Sequence, residues 1–472
     1  MRRFWSVLWI LVVGLGPAGA ATAEIGAGNV ADLQLVWDFP LSKAVTSSPT
    51  LAHGRLYVSS WDRKVYAVDP GTGAELWSFD TGTSSSFGVQ STVLATPDGR
   101  IFFGDADARL HSLDGSDGSV VWTRSLGNPA VDHIWPAPTV AAGRLFIGIA
   151  SHADVPCTQG RLVALDLATG ADLWTLQTVP DRVCTNDTGV ECSTDADCLA
   201  LGNDPGATCV QALGAGVTGE VVTNPAGTAV YMNTVDCTTF PAVGDSGTIF
   251  KIDAVTGTVI WKTKVDPNEQ FGACVVDESI DCATAADCPS GACEPKLFYH
   301  DFGFLNGPLR IEADDGQGGT RTLIVSGGKN GTLYALDEAD GSIVWTNQVL
   351  PPPETPNYAG FGLFNGAIAA AGGRIHAALY QFFVPVVPAP PHLQAFDAAT
   401  GATLWTDEIG ISLANTSVAN GVVFVGTGES DEFFAYDAAS GTRLTSFALP
   451  ARTVSRATVD GDALYIGYGL FG

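Results

Sequence analysis

The chain holds ten cysteines, and eight of them fall into two similar blocks. Cys184, Cys192 and Cys198 are spaced C-x7-C-x5-C with Cys209 following, and Cys274, Cys282 and Cys288 repeat that spacing with Cys293 following. Thiols clustered in this way either ligate zinc or oxidise to disulfides. Structural zinc sites use C-x-x-C pairs or histidines at ligand spacing, and neither stands near these blocks. Disulfides are therefore expected within 181–212 and 271–295. Both segments are rich in Asp, Thr, Gly and Ala with little apolar patterning, and they read as stapled loops inserted into a larger frame, their connectivity open. The two cysteines left over, Cys157 and Cys237, are expected to pair with each other across neighbouring repeats. Other reactive signatures are missing from the sequence. There is no C-x-x-C-H for a c-type haem, no G-x-S-x-G nucleophile elbow and no phosphate-cradling P-loop, so neither haem nor nucleotide is expected.

Disulfides form in an oxidising compartment, and the N-terminus carries a route to one. Arg2 and Arg3 precede the apolar run Phe4 to Leu15, Gly16-Pro17 breaks it, and small residues follow to Ala23. That is the pattern of a signal peptide over 1–23, with an apolar core too short to span a bilayer. No second run of spanning length follows and no cysteine follows the cleavage region. A periplasmic or secreted chain with no membrane span after cleavage is expected. Lys and Arg total 23 against 50 for Asp and Glu, a net charge of −27. Such a surface repels nucleic acid and anionic membrane, and it also serves solubility.

What positions any site is a repeat. One phrase recurs seven times, each copy an alternating run ending in Asp, then a turn with Gly, then Trp in all but the last. The copies are Val65–Trp77, Leu110–Trp122, Leu162–Trp174, Ile249–Trp261, Leu333–Trp345, Leu393–Trp405 and Phe433–Thr445. Each reads as a strand, a tight turn and a second strand, with the Asp bonding its own turn and the Gly supplying positive φ. Another strand pair stands upstream of most copies, as in Ser47 to Ser60. Four strands per repeat make a propeller blade. Leu35-Val36-Trp37 matches only the end of the phrase, and Ala457 to Gly469 matches only a blade's inner strands. Together they form one further blade, so the expected fold is an all-β, eight-bladed propeller over 24–472, with seven blades as the fallback.

The phrase A-x-D-x-x-[TS]-G-x-x-x-W resembles the tryptophan-docking repeat of pyrroloquinoline quinone (PQQ) dehydrogenases and their non-catalytic relatives. That resemblance implies a structural place for Trp77, Trp122, Trp174, Trp261, Trp345 and Trp405, wedged between blades near small residues such as Ala67, Ala164, Ala335 and Ala395. A single site on a repeated frame must break the repeat, and three irregular segments resemble the alcohol-oxidising members. Asn29 to Leu33 before Trp37 is similar to their opening. Tyr299-His300-Asp301-Phe302-Gly303 falls where they carry a catalytic base. Gly327-Gly328-Lys329-Asn330-Gly331 is similar to the segment whose lysine bonds the quinone oxygens, which implies Lys329 and Asn330 as quinone contacts. Alcohol oxidation needs a base for the hydroxyl proton and a cation for charge on the reduced ring, the roles implied for Asp301 and Lys329. The plainer alternative makes Asp301 a turn cap and Lys329-Asn330-Gly331 a hairpin turn.

Several members of the cofactor cage are absent at their family positions. Ala150 to Gly160 offers His152 and Asp154 where a glutamate ligand for calcium is usual, and Asp236 stands where an asparagine ligand follows. The tryptophan expected under the quinone near Val217-Thr218 is missing, as are the adjacent cysteines that cover its other face. With the repeat intact and the cage incomplete, the sequence favours a non-catalytic propeller that binds a protein or glycan partner. The alternative is a dehydrogenase of alcohols or sugars, with PQQ and calcium in the central channel and a separate electron acceptor.

Overall fold

The computed structural model describes residues 8–15 and 24–469 apart from 153–155, 203–204, 236–244, 266–271, 275–287, 289–292, 296–302, 350–365, 380–391, 411 and 429. Each copy of the repeat is an antiparallel sheet of four successive strands. The first runs Thr50–Ala52, Arg55–Ser59, Lys64–Val68 and Glu75–Asp80. Among the described residues there are eight such sheets, one with a short fifth strand, and two small ones in the cysteine-rich segments. Burial follows strand order. The two middle strands are buried on both faces, whereas the outermost alternates between exposed and half-buried residues. The core therefore lies between sheets, as where Tyr57, Val65 and Ala67 of the first pack on Ile101, Phe103 and Leu113 of the second.

The turn chemistry expected from the phrase is present. Asp69 Oδ1 accepts from the Gly71 and Thr72 amides at 3.0 and 2.8 Å and from Thr72 Oγ1 at 2.9 Å. Those bonds, led by the Thr72 hydroxyl, hold its carboxyl below the ordinary carboxylate range. The turn glycine has a second duty. Gly401 has φ +72°, and a Cβ on it would lie 2.4 Å from Cε3 of Trp345 in the preceding sheet. The same indole-on-glycine contact joins Trp37 to Gly73, Trp77 to Gly118, Trp122 to Gly170, Trp174 to Gly257, Trp261 to Gly341 and Trp405 to Gly441. Indole N–H groups clip the next sheet too, as from Trp77 to Gly115 O (3.1 Å) and from Trp345 to Ala398 O (3.2 Å). Trp122 lacks that bond; Arg100 Nη1 instead reaches the turn of the following sheet, donating to Leu167 O at 2.8 Å. The alanines near each tryptophan are its register partners in its own sheet, Ala67 opposite Trp77 and Ala335 opposite Trp345.

The two chain ends share one sheet. Thr458–Asp460 and Ala463–Gly467 form its inner strands and Leu33–Leu41 its outer one. Residues Leu8–Leu15, in the segment expected to be a leader, lie between them, antiparallel to both. Trp37 on Gly73 then docks this sheet on the first.

The segment 181–212 is more ordered than a stapled loop. It holds strands Arg182–Cys184, Asp187–Glu191 and Cys209–Gln211 and the short helix Asp195–Leu199, with disulfides Cys184–Cys198 and Cys192–Cys209. The closely spaced sulfurs of Cys184, Cys192 and Cys198 are thus accounted for by disulfides. In 271–295, Gly272–Cys274 pairs with Cys293–Pro295 and Cys274 bonds Cys288. Cys157 is disulfide-bonded, whereas Cys237 and Cys282 lie outside the described residues.

Candidate central cavity

In each sheet the connection arriving from the previous outer strand ends beside the innermost strand of the next. These eight entries surround a cavity of about 240 Å³, lined among others by Ser47, Gln90, Trp135, Glu220, Asn306, Ile368, Asn415 and Arg456, one from each. Its wall is mostly hydroxyl, amide and small apolar groups, with Trp135 its aromatic member among the described residues. Two buried polar atoms on the wall have no hydrogen-bond partner, Gln90 Oε1 and Arg456 Nε. Both atoms are shielded from the open volume, although their residues line it.

Of the residues singled out in the sequence, Lys329 and Asn330 are described, whereas Asp236, His300 and Asp301 lie outside the described residues. Lys329 is buried, in the turn between Thr320–Gly327 and Thr332–Asp337. Asn330 fixes that turn, accepting from the Thr332 amide at 2.9 Å and donating to Tyr334 Oη at 2.7 Å. The backbone flanking the three expected residues comes together: the Lys329 amide donates to Gly303 O (3.1 Å) and the Phe304 amide to Thr234 O (3.2 Å). Gly303 follows Asp301 by two positions, Thr234 precedes Asp236 by two, and Asn306 is already in the cavity wall. Lys329 itself is not one of the lining residues.

At Thr218, where the sequence lacks a tryptophan, a threonine borders the cavity and bonds a neighbouring connection. Thr218 Oγ1 donates to Phe304 O and Leu305 O at 3.3 and 3.2 Å, and a Cβ on Gly219 would meet Gly307 N at 2.1 Å. His152 stands in the stretch lacking the usual calcium-ligand glutamate, and its Nε2 lies 2.6 Å from Ser85 Oγ.

Position-by-position reading overlooked an aromatic group on another side of the cavity. Trp135 and Trp61 are the tryptophans beyond residue 37 that stand outside the repeated phrase, and this was the available signal. Trp135 Nε1 donates to Ser151 O at 2.9 Å, and its ring lies 4.2 Å from that of His133 at 31°. Phe87 abuts Trp61, His133, Trp135 and His152 at centroid distances of 5.6, 6.2, 5.9 and 4.9 Å. His133 is fully buried with neither ring nitrogen hydrogen-bonded, and burial, then the nearby His152, pushes its pKa down to about 3.

Residues 17–146, 62–216, 158–287 and 391–467 match the PQQ-repeat family described as outer membrane protein assembly factor BamB. The chain belongs to the PQQ-repeat family. Within it, the chain is 25% identical over 471 residues to the polyvinylalcohol dehydrogenase of a Pseudomonas species, covering 93% of this chain and 67% of that one. It is 25% identical over 345 residues to the dehydrogenase subunit of the quinone alcohol dehydrogenase of Gluconacetobacter polyoxogenes, covering 68% of this chain but only 42% of that subunit. Among solved structures, the quinohemoprotein alcohol dehydrogenase of Comamonas testosteroni superposes with a TM-score of 0.69 over 95% of this chain and 74% of that one, at 20% identity. The likeness shows that these PQQ repeats build the same propeller fold.

These relatives overturn the expectation of a non-catalytic binding propeller, because they are named as dehydrogenases. That expectation counted cage residues only at their family positions, whereas Trp135, the aromatic member of the described cavity wall, stands at another position.

Proposed function

We propose that this protein is a quinone-dependent dehydrogenase of alcohols or sugar hydroxyls, exported behind a leader at 1–23 to the periplasm or beyond. What carries the reading is the cavity at the meeting point of the sheets, lined by Gln90, Trp135, Asn306 and Arg456, with Gly303, whose backbone contacts that of Lys329, a few residues from Asn306 in the chain. The guanidinium of Arg456 and the amide N–H of Gln90 are donors that suit an oxygen-rich, anionic planar molecule such as PQQ, and Lys329 and Asn330, which lie outside the described cavity wall, are the further contacts proposed for its oxygens. That molecule, when bound, supplies the hydride acceptor.

The protein's own residues do the remainder. Asp301 takes the hydroxyl proton of the alcohol, so that electron density builds on the carbinol carbon. The Lys329 ammonium, held out of water, stabilises negative charge where it develops. Asp236 would offer an oxygen donor to a calcium ion, as a hard cation requires. Electrons leave to a separate acceptor.

The test is to reconstitute the purified protein with PQQ and calcium, then follow quinone absorbance and dye reduction across primary alcohols, polyols and sugars. Dye reduction that depends on added quinone is expected. No retained quinone at saturating concentrations sinks the proposal.

A further inference from the structure

We propose that Trp135, braced by His133, is the stacking wall for a planar aromatic ligand in the central cavity, where Thr218 and Gly219 offer no aromatic face. The inference rests on the quinone reading and says which of this chain's residues grips the ring. Three observations carry it. Trp135 is the aromatic member of the cavity wall and is half-buried, so part of its surface borders the open volume. The indole is held from behind, with its N–H tied to Ser151 O at 2.9 Å, His133 lying 4.2 Å away at 31°, and Phe87 tilted against it at 5.9 Å. A ring fixed in this way loses little freedom on binding, which favours affinity.

The third observation is His133 itself. An imidazole with neither nitrogen hydrogen-bonded is a poor structural choice unless it serves as a flat apolar surface. Its depressed pKa keeps it neutral, so it backs the indole without setting a buried cation beside the cavity. Arg456 and Gln90 belong to the same wall, and a guanidinium and a side-chain amide N–H are the donors that carboxylate or carbonyl groups at the ligand's edge require. The combination of one aromatic face with edge-on polar groups selects a planar, carboxylate-bearing ring over an aliphatic one.

The experiment measures equilibrium binding of PQQ to the full-length protein by dialysis and quinone absorbance, for the wild type, W135A, W135F and W135L. Loss of a stacking ring weakens binding by roughly 5- to 100-fold. The expected order is wild type near W135F, with W135L and W135A weaker by about 10-fold or more. Circular dichroism identifies any variant that fails to fold. If W135A is one, the comparison of W135F with W135L decides, since both fill the site and only one keeps a ring. Equal affinity for wild type, W135L and W135A overturns the stacking role while leaving the quinone reading intact. If the wild type binds no quinone, the quinone reading falls and takes this inference with it.

Discussion

Replacing Gly401 with Ala tests whether the ring is held by indole-on-glycine docking. Two costs add at that position. A Cβ at φ +72° is strained, at about 1–2 kcal/mol for left-handed backbone. The same atom would sit 2.4 Å from Trp345 Cε3, and Trp345 is itself buried and bonded to Ala398 O, so overpacking adds about 1–3 kcal/mol. The sum is about 2–5 kcal/mol. Gly54 is the control, because its φ is +68° but nothing lies within 4 Å of its Cβ direction. Gly54→Ala should cost only the backbone share, about 1–2 kcal/mol. Urea unfolding of both variants with disulfides intact, compared through midpoint and slope, isolates the docking contribution as the difference. A Gly401→Ala variant no less stable than Gly54→Ala would refute the argument that these contacts hold neighbouring sheets together.

Acid should destabilise the protein through two buried histidines. His133 is pushed down to about 3 and His376 to about 4, chiefly by burial, while both titrate near 6.5 when unfolded. As pH falls from about 6.5 towards 4, the unfolded chain takes up protons that the fold refuses, so stability declines by about 1.4 kcal/mol per pH unit for each. His376→Leu should flatten that decline, and an unchanged slope in urea midpoint against pH counts against it. Lys329→Met should lower quinone-dependent dye reduction by about 100- to 1000-fold while circular dichroism stays unchanged; full activity would remove Lys329 from the chemistry. Peptide mapping without reduction should find Cys282–Cys293, completing the first-to-third, second-to-fourth pattern of Cys184–Cys198 and Cys192–Cys209, together with Cys157–Cys237. A link from Cys237 to either cysteine-rich segment would break that scheme.

Repetition made the fold legible. Seven copies of one phrase fix strand order, turn type and the place of each tryptophan, because every copy is a local solution to the same packing problem. The second use of the turn glycine was not visible, since nothing in the phrase says that the indole of one sheet lies on the glycine of the next. The cavity was harder to see for the opposite reason. Gln90, Trp135 and Arg456 come from connections far apart in sequence, and none belongs to a motif. Their relation exists only after the ring closes. Lys329 stood out because Gly327 to Gly331 is a compact local signal, and it reads equally well as a plain turn, which its backbone bonds also make it.

The apolar strand Leu8–Leu15 has register partners along Leu33–Leu41 on one side and Ala463–Gly467 on the other. If the chain is exported behind the proposed leader at 1–23, export and closure lay claim to the same eight residues. A cut after Ala23 severs the tether without removing the strand, and an intramolecular element becomes a bound peptide whose retention depends on concentration. Intact mass measured under native and then denaturing conditions distinguishes a retained peptide from a lost one. If the peptide departs, two strand edges face each other across a gap one strand wide, with their amides and carbonyls unmet. Such a gap is a template for any extended segment of suitable register, so maturation would decide whether the ring is a finished object or a receptor for a strand.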